Sequence, residues 1–213
     1  MKTEYLEEED FFAACNDLKV RAEDVEAIKA FLSPLREKSD ETLPHYLHTL
    51  RVGLLSRSIG AFVHHEERPL LFAGALHDLG KCQTCLSVLG RTGSWNDNDQ
   101  REIEKHVLDG YRLLLGRFDF SAEIMVWHHR FQENGYPEVL PSPLHEYKEM
   151  TQLLIREYGR IVAIADVYDA LHRVNSKTGA KKLSRSEIKQ KMLVFNPDRV
   201  RLVTDLYHAG ILQ

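Results

Sequence analysis

Apolar residues recur at helical spacing along most of the chain, and few segments alternate with the period of two that a half-buried strand requires. Val25, Ile28, Phe31, Leu32 and Leu35 predict an amphipathic helix over 22–38. Pro44 suits the first turn of the next helix, where its missing N–H costs nothing. That helix runs to about His65, and His48 shares one face with Val52, Leu55 and Ile59. The stretch "PLLFAGALHDLG" is apolar nearly all round, which predicts a buried central helix over about 68–80. "RTGSWNDND" reads as a loop, and Asp99-x-x-Glu102 as a capping box opening a helix through Leu115. Residues 121–130 form a further helix, ended by "ENGYPEVLPSP". A long helix over about 146–172 contains "RIVAIADVYDAL"; Ser184-x-x-Glu187 and Asn196-Pro197 start two more, and Gly210 stops the last. The pattern predicts an all-α fold, a single helical bundle with N- and C-terminal helical extensions.

Composition narrows the class. A chain of 213 residues can bury a sizeable core. Its net charge of -4 gives no case for long nucleic acid or for a membrane surface. The apolar runs are too short to span a bilayer, and "MKTEYLEEED" is acidic where a leader would be basic. Three cysteines do not suggest a disulfide framework, so the expected compartment is the cytoplasm. Eleven histidines, most of them between residues 45 and 145, are the unusual feature.

Several of these histidines and three aspartates sit where the pattern buries them. The inward His48 is either a satisfied core residue or a ligand. Asp78 follows "LLFAGALH", and burying a carboxylate costs several kcal/mol without a cation or strong donors. A bound metal is one compensation; a salt bridge to Lys81 is the other. Asp166 lies among Ile161, Val162, Ala163, Ile164, Ala165 and Val167, with Asp169 on the same face. Both could instead cap neighbouring helices or pair with Arg173. His106 alone reads as a solvated residue on an amphipathic helix, and His128-His129 as a pair at a helix end that can reach a shared site. Five histidines and two aspartates exceed the ligands of one tetrahedral ion. They fit two ions bridged by one carboxylate, an arrangement that clamps a phosphoryl group and activates a bridging water.

The ordered series His48 … His77-Asp78 … Asp166, with "HDLGK", resembles the HD-domain metal-dependent phosphohydrolase superfamily. "HVLDGYRLL" (106–114), "HHRFQENGYP" (128–137) and "RIVAIADVYDAL" (160–171) resemble segments of its HD-GYP subgroup. The resemblance implies metal ligands at His48, His77, Asp78, His106, His128, His129 and Asp166, with Asp78 the bridge. It implies a phosphate-contacting, catalytic role for Lys81 beside Asp78. Tyr136 of the "GYP" turn is either a packed ring or a substrate contact, and Arg173 and Asp169 are further candidates for substrate contact. The cofactor implied is a pair of divalent transition-metal ions, iron or manganese first, then nickel, zinc or cobalt. The expected domains are an extension over 1–43, the HD core over 44–175 and a C-terminal extension over 176–213.

Four departures qualify the resemblance. Pro44 stands where trinuclear members carry a metal-binding Glu, so two ions are expected rather than three. Arg130 replaces the Glu after the paired histidines. The "GYP" segment is one residue short, with Glu133-Asn134 where D-G-x is expected. After "DAL" the chain reads "HRVNSKTGAKK" instead of R-P-Y-R. The expected activity is hydrolysis of a nucleotide phosphodiester or phosphomonoester by a metal-bridging hydroxide, with cyclic di-GMP the substrate the resemblance implies. The resemblance leaves room for a homodimer. The competing readings are a catalytically silent nucleotide-binding signalling module and a di-iron oxygenase. Cys82-x-x-Cys85 has no second cysteine pair, and its expected role is ordinary packing.

Overall fold

The computed structural model describes residues 2–91, 95–173 and 182–213. These residues form helices and turns, with no strand among them. In chain order the helices are α1 (Lys2–Asp17), α2 (Ala22–Glu37), α3 (Leu43–Phe62) and α4 (Glu67–Leu76), followed by a 3-10 turn, Leu79–Gln83. Then come α5 (Leu86–Leu89), α6 (Asp97–Leu114), α7 (Asp119–Met125), α8 (Glu149–His172), α9 (Arg185–Phe195) and α10 (Val200–His208). The fold is all-α.

Two apolar clusters meet along α3 and α4. One gathers Phe11 and Cys15 of α1, Ile28, Leu32 and Leu35 of α2, Leu50, Leu71 and Leu76, and Val107 and Leu114 of α6. The other surrounds α8, whose Ile161, Val162, Ile164 and Ala165 pack with Val52, Ile59, Leu70, Met192, Val203 and Leu206. The first two helices are thus built into the main core. α4 is buried almost all round, as its continuous apolar run requires. Arg160, at 2 % exposure, is held in the second cluster by Asp198 (2.6 and 3.0 Å) and Asn196 (2.9 Å).

Helix boundaries differ from the sequence pattern at three places, each with a physical reason. α4 stops at Leu76 rather than at Gly80, and the chain tightens into the 3-10 turn. α7 stops at Met125, and 126–131 are turn. Adjacent residues on an α-helix do not face each other, so His77-Asp78 and His128-His129 can each reach one point only if the helix ends before them. α6 begins two residues earlier than Asp99. Asn96 is its cap, accepting from the Asn98 and Asp99 N–H groups at 2.9 and 3.0 Å, and Asp99 closes the capping box from the N3 position. In "NDND" an amide three residues upstream competes with the aspartate for the cap, and it wins. The Ser184–Glu187 box caps α9 as the pattern expects. The segment after Arg173 lies partly outside the described residues, as does the loop at 92–94.

Gly80 marks the tightest approach around the site. A Cβ there would fall inside the contact radius of the His106 carbonyl oxygen and 2.6 Å from the Gly110 nitrogen. The 3-10 turn and α6 therefore touch backbone to backbone, which only glycine permits. We expect Gly80→Ala to force the two apart. Overpacking of this kind costs about 1–3 kcal/mol, and urea unfolding of the chelator-treated protein measures it.

Candidate metal centre

Four histidines are aimed by their Nδ1 atoms. His77 Nδ1 donates to the Gly74 carbonyl at 2.7 Å, His128 Nδ1 to Met125 O at 2.5 Å, and His106 Nδ1 to Ile103 O. Each of these acceptors lies three residues back along the chain, one turn before its histidine. His48 Nδ1 donates to Asp169 Oδ2 at 2.7 Å. A carbonyl only accepts, so Nδ1 carries a proton in His77, His106 and His128, and Nε2 of each ring faces inward, where an imidazole with no second proton presents a lone pair.

Those Nε2 atoms converge on two carboxylates. His48 Nε2 is 3.4 Å from Asp78 Oδ2 and 3.1 Å from Asp166 Oδ1. His77 Nε2 is 3.4 Å from Asp78 Oδ2 and 3.8 Å from Asp166 Oδ1, and His106 Nε2 is 3.1 Å from Asp78 Oδ1. His128 Nε2 is 3.5 Å from His106 Nε2. His129 lies beside His128, ring centroids 4.0 Å apart, and stacks on Tyr136 at 4.3 Å. His48, His77, His106 and His128 are wholly buried, and Asp78 is 1 % exposed.

The atoms sort into three groups, each with ligand atoms within 4.8 Å of one another. They are His48, His77 and Asp78; Asp78, His106, His128 and His129; and His77, His128 and Asp166. Asp78 belongs to the first two, one oxygen toward His48 and His77 and the other toward His106. His48 Nε2, His77 Nε2 and Asp78 Oδ1 find no hydrogen-bond partner despite complete burial. Inward lone pairs and carboxylate oxygens repel one another in a dry site, so the donor set fits cations. Imidazole nitrogens with carboxylate oxygens suit iron, manganese, nickel, cobalt or zinc. These groups contain no cysteine: Cys15 is buried, Cys82 is half-buried and Cys85 is exposed.

Lys81 and Arg173 line the rim. Lys81 Nζ donates to Asp78 Oδ2 at 2.5 Å, with its side chain 12 % exposed. Arg173 Nε is 3.5 Å from Asp169 Oδ2. Asp169, expected among the substrate contacts, instead has both oxygens engaged: Oδ2 with His48 and Arg51 Nη2 (3.1 Å), Oδ1 with Arg51 Nε (2.5 Å). It stands behind the histidine. Arg130 turns away from the cluster and donates to the carbonyls of Pro137 (2.8 Å) and Glu138 (3.1 Å), clamping the turn that carries Tyr136. His106, which reads as solvated by itself, is buried because it lies one turn from Ile103 on the inward face of α6.

The sequence reading did not pick out Arg51, His45 or Glu7. The signal for the first was its spacing, three residues beyond His48 on one helix. His45 lies one turn before His48; burial, then the charge of Lys81, holds its imidazole down at about 2.

Burial dominates the titration of the cluster. It pushes His128 down to about 3 and His129 well below the usual histidine range. His48 goes the other way: burial and the charge of Arg173 pull it down, but Asp166, Asp169 and Asp78 outweigh them and hold it at about 9. Burial raises the carboxyls of Asp78 and Asp166. For Asp78 the charges of Lys81 and His77, and for Asp166 the nearby imidazoles of His48 and His77, outweigh burial and hold both well below the carboxylate range.

Unfolded histidines titrate at about 6.5. As pH falls below that value, the unfolded chain takes up protons that the folded His45, His128 and His129 refuse, and stability falls. The contribution of His48 has the opposite sign: it is complete below about 6.5 and is lost as pH rises toward 9. We expect the chelator-treated protein to be most stable near neutrality, its urea midpoint dropping between pH 7 and pH 5. A midpoint that rises on acidification contradicts buried neutral rings.

Comparison with known proteins agrees with this arrangement. A family model described as the HD domain matches residues 46–171. The response regulator RpfG of Xanthomonas campestris, a cyclic di-GMP phosphodiesterase, is 35 % identical over 124 residues, covering 56 % of this chain and 30 % of its own length. A cyclic di-GMP phosphodiesterase of Thermotoga maritima is 30 % identical over 171 residues, 76 % of this chain and 42 % of its own. A 3'3'-cGAMP-specific phosphodiesterase of Vibrio cholerae is 28 % identical over 134 residues, 61 % of this chain and 28 % of its own. The aligned part is thus less than half the length of these relatives. The HD domain of the Listeria monocytogenes phosphodiesterase PgpH has the same fold, with a TM-score of 0.57 at 15 % identity, over 85 % of this chain and 96 % of that one. The chain belongs to the HD domain family, the metal-dependent phosphohydrolase superfamily that its sequence resembles.

Proposed function

We propose that the chain is a binuclear phosphohydrolase that cleaves a nucleotide phosphodiester, with a cyclic dinucleotide as the substrate class. The observation that carries this reading is the sharing of Asp78 between two ligand groups, His48–His77 on one side and His106–His128–His129 on the other. Asp166 adds a second carboxylate facing His48 and His77. When bound, two divalent ions offset charge on phosphoryl oxygens and lower the pKa of water enough to yield a nucleophile near neutral pH.

The protein's own groups do the rest. The four Nδ1 bonds keep the imidazoles oriented before any ion arrives, so little reorganisation is needed. Lys81 sits at the solvent side of Asp78, where its ammonium can move from that carboxylate to a substrate phosphate oxygen. Tyr136, stacked on His129, is a candidate wall for the substrate, and Arg173, paired with Asp169, is a candidate second cation. The cyclic dinucleotides named for the relatives carry two phosphodiester groups, which suits a mouth bordered by two cationic side chains. No helix among the described residues is long and apolar enough to cross a membrane, and a nucleotide substrate matches the expected cytoplasmic setting.

A second reading is a signalling module that binds a nucleotide without turnover. Its support is Arg130, whose guanidinium is committed to backbone carbonyls where the related subgroup places a carboxylate.

Anaerobic loading with manganese or iron, followed by assay on cyclic di-GMP, 3'3'-cGAMP and bis-p-nitrophenyl phosphate, separates the readings. Turnover of a cyclic dinucleotide at two ions per chain is the expected result. Binding without product favours the silent module, and substrate-dependent oxygen consumption favours a di-iron oxygenase. In His77→Ala and Asp78→Ala we expect metal content to fall and hydrolysis to be lost. Unchanged metal content in either variant refutes the ligand assignment.

A further inference from the structure

We propose that Arg51 is a positioning residue for His48 and that it ties the first helix of the chain to the metal centre; this rests on the metal-binding reading above. Arg51 follows His48 by one turn of α3, and its guanidinium joins two other helices. Nε and Nη2 hold the two oxygens of Asp169 on α8, at 2.5 and 3.1 Å, and Nη1 reaches Glu7 Oε1 on α1 at 3.0 Å. Asp169 in turn accepts from His48 Nδ1 at 2.7 Å. Glu7, Arg51, Asp169 and His48 form one continuous chain of ionic hydrogen bonds from α1 to an inward-facing imidazole.

The geometry explains why an arginine is needed. A carboxylate held by one histidine alone can rotate, and the histidine rotates with it. A planar guanidinium that grips both oxygens fixes the carboxylate plane, and so the ring plane. Arg51 also neutralises Asp169. That keeps a third carboxylate from adding an uncompensated charge beside Asp78 and Asp166, and leaves it free to orient His48. Partners of this kind behind a metal-ligating histidine change metal affinity by about 10–100-fold when removed. Glu7 is the outer end: it holds the guanidinium from the solvent side, so the seating of α1 bears on the geometry of His48.

Arg57 supplies an internal control. It lies further along α3, pairs with Glu67 at 2.8 Å, and also reaches α1, through Asp17 at 3.7 Å. It shares the helix, the charge and the link to α1 with Arg51, but it has no path to the cluster.

Cobalt(II) is the probe: anaerobic titration of the full chain against a competing chelator, with the visible absorption of the bound ion recorded. Arg51→Gln is expected to weaken cobalt binding about tenfold or more and to alter the visible bands. Arg51→Lys, which keeps the charge but loses the fork, should recover part of the affinity, and Glu7→Gln should lose less than Arg51→Gln. Arg57→Gln should bind cobalt as the wild type does, even where its urea midpoint falls as far as that of Arg51→Gln. Wild-type affinity and spectrum in folded Arg51→Gln overturn the inference, as does an equal loss in Arg57→Gln. If Arg51→Gln does not fold, wild-type cobalt binding in both Arg51→Lys and Glu7→Gln overturns it. A wild-type chain that takes up no cobalt overturns the metal-binding reading itself, and this inference with it.

Discussion

The structure is organised around an electrostatic problem: two carboxylates and several imidazole lone pairs face one another in a space closed to water. Asp78 is 1 % exposed, and His48, His77, His106 and His128 are wholly buried. Removing such groups from water costs several kcal/mol per charge unless cations or good hydrogen bonds compensate. The Nδ1 bonds to Gly74, Ile103, Met125 and Asp169 satisfy only the outer edge of each ring. The inner edges are satisfied by protons or by metal ions. Positive charge must therefore come to the centre, and the bundle around it is arranged to hold that centre still.

That requirement reaches into the secondary structure. Two adjacent residues deliver ligands at His77-Asp78, and two more at His128-His129. An α-helix would point such neighbours about 100° apart; α4 ends immediately before its pair, and α7 two residues before its own. Ending α4 at Leu76 brings the chain into a 3-10 turn, and Gly80 lets that turn lie directly against the backbone of α6 at His106. The same contact closes the distance between Asp78 and His106 to 3.1 Å. In "HDLGK" the His and Asp supply donor atoms, the Gly supplies proximity, and the Lys covers the outward side of the Asp. The motif is a structural unit as much as a chemical one.

Most of the fold was legible because it depends on period and burial. The all-α class, the course of α3 and α8, and the Ser184 cap all follow from the spacing of apolar residues and from local capping chemistry. The residues that gather around Asp78 were legible as an ordered set through the family resemblance, although spacing alone left His106 looking solvated. The ends of α4 and α7 were not legible. Local propensity favours continuing both helices, and the reason to stop is a meeting with residues distant in sequence. The cap of α6 was misplaced by three residues, because "NDND" offers two competent caps, Asn96 and Asp99. The true surroundings of Asp169 were hidden for the same reason. Its partners Arg51 and His48 lie 118 and 121 residues away, and no local pattern shows that a carboxylate faces the back of a histidine rather than a substrate.

One departure from the HD-GYP pattern, Arg130, falls where this argument allows it. Inside the cluster the side chains converge on one another. Loss of Asp78 would leave His48, His77, His106 and Lys81 without the carboxylate they converge on, and loss of His48 would leave Asp169 and Arg51 facing a void. Substitution there is costly through several partners at once. The rim is different. Arg130 can stand in place of a carboxylate because it finds satisfaction in two backbone carbonyls of the neighbouring turn, and the centre does not register the exchange. A mutually buried core with an independently satisfied rim lets a rim side chain change while the donor set stays whole. The candidate ligands depend on one another through several shared contacts, whereas Arg130 depends only on the turn it clamps.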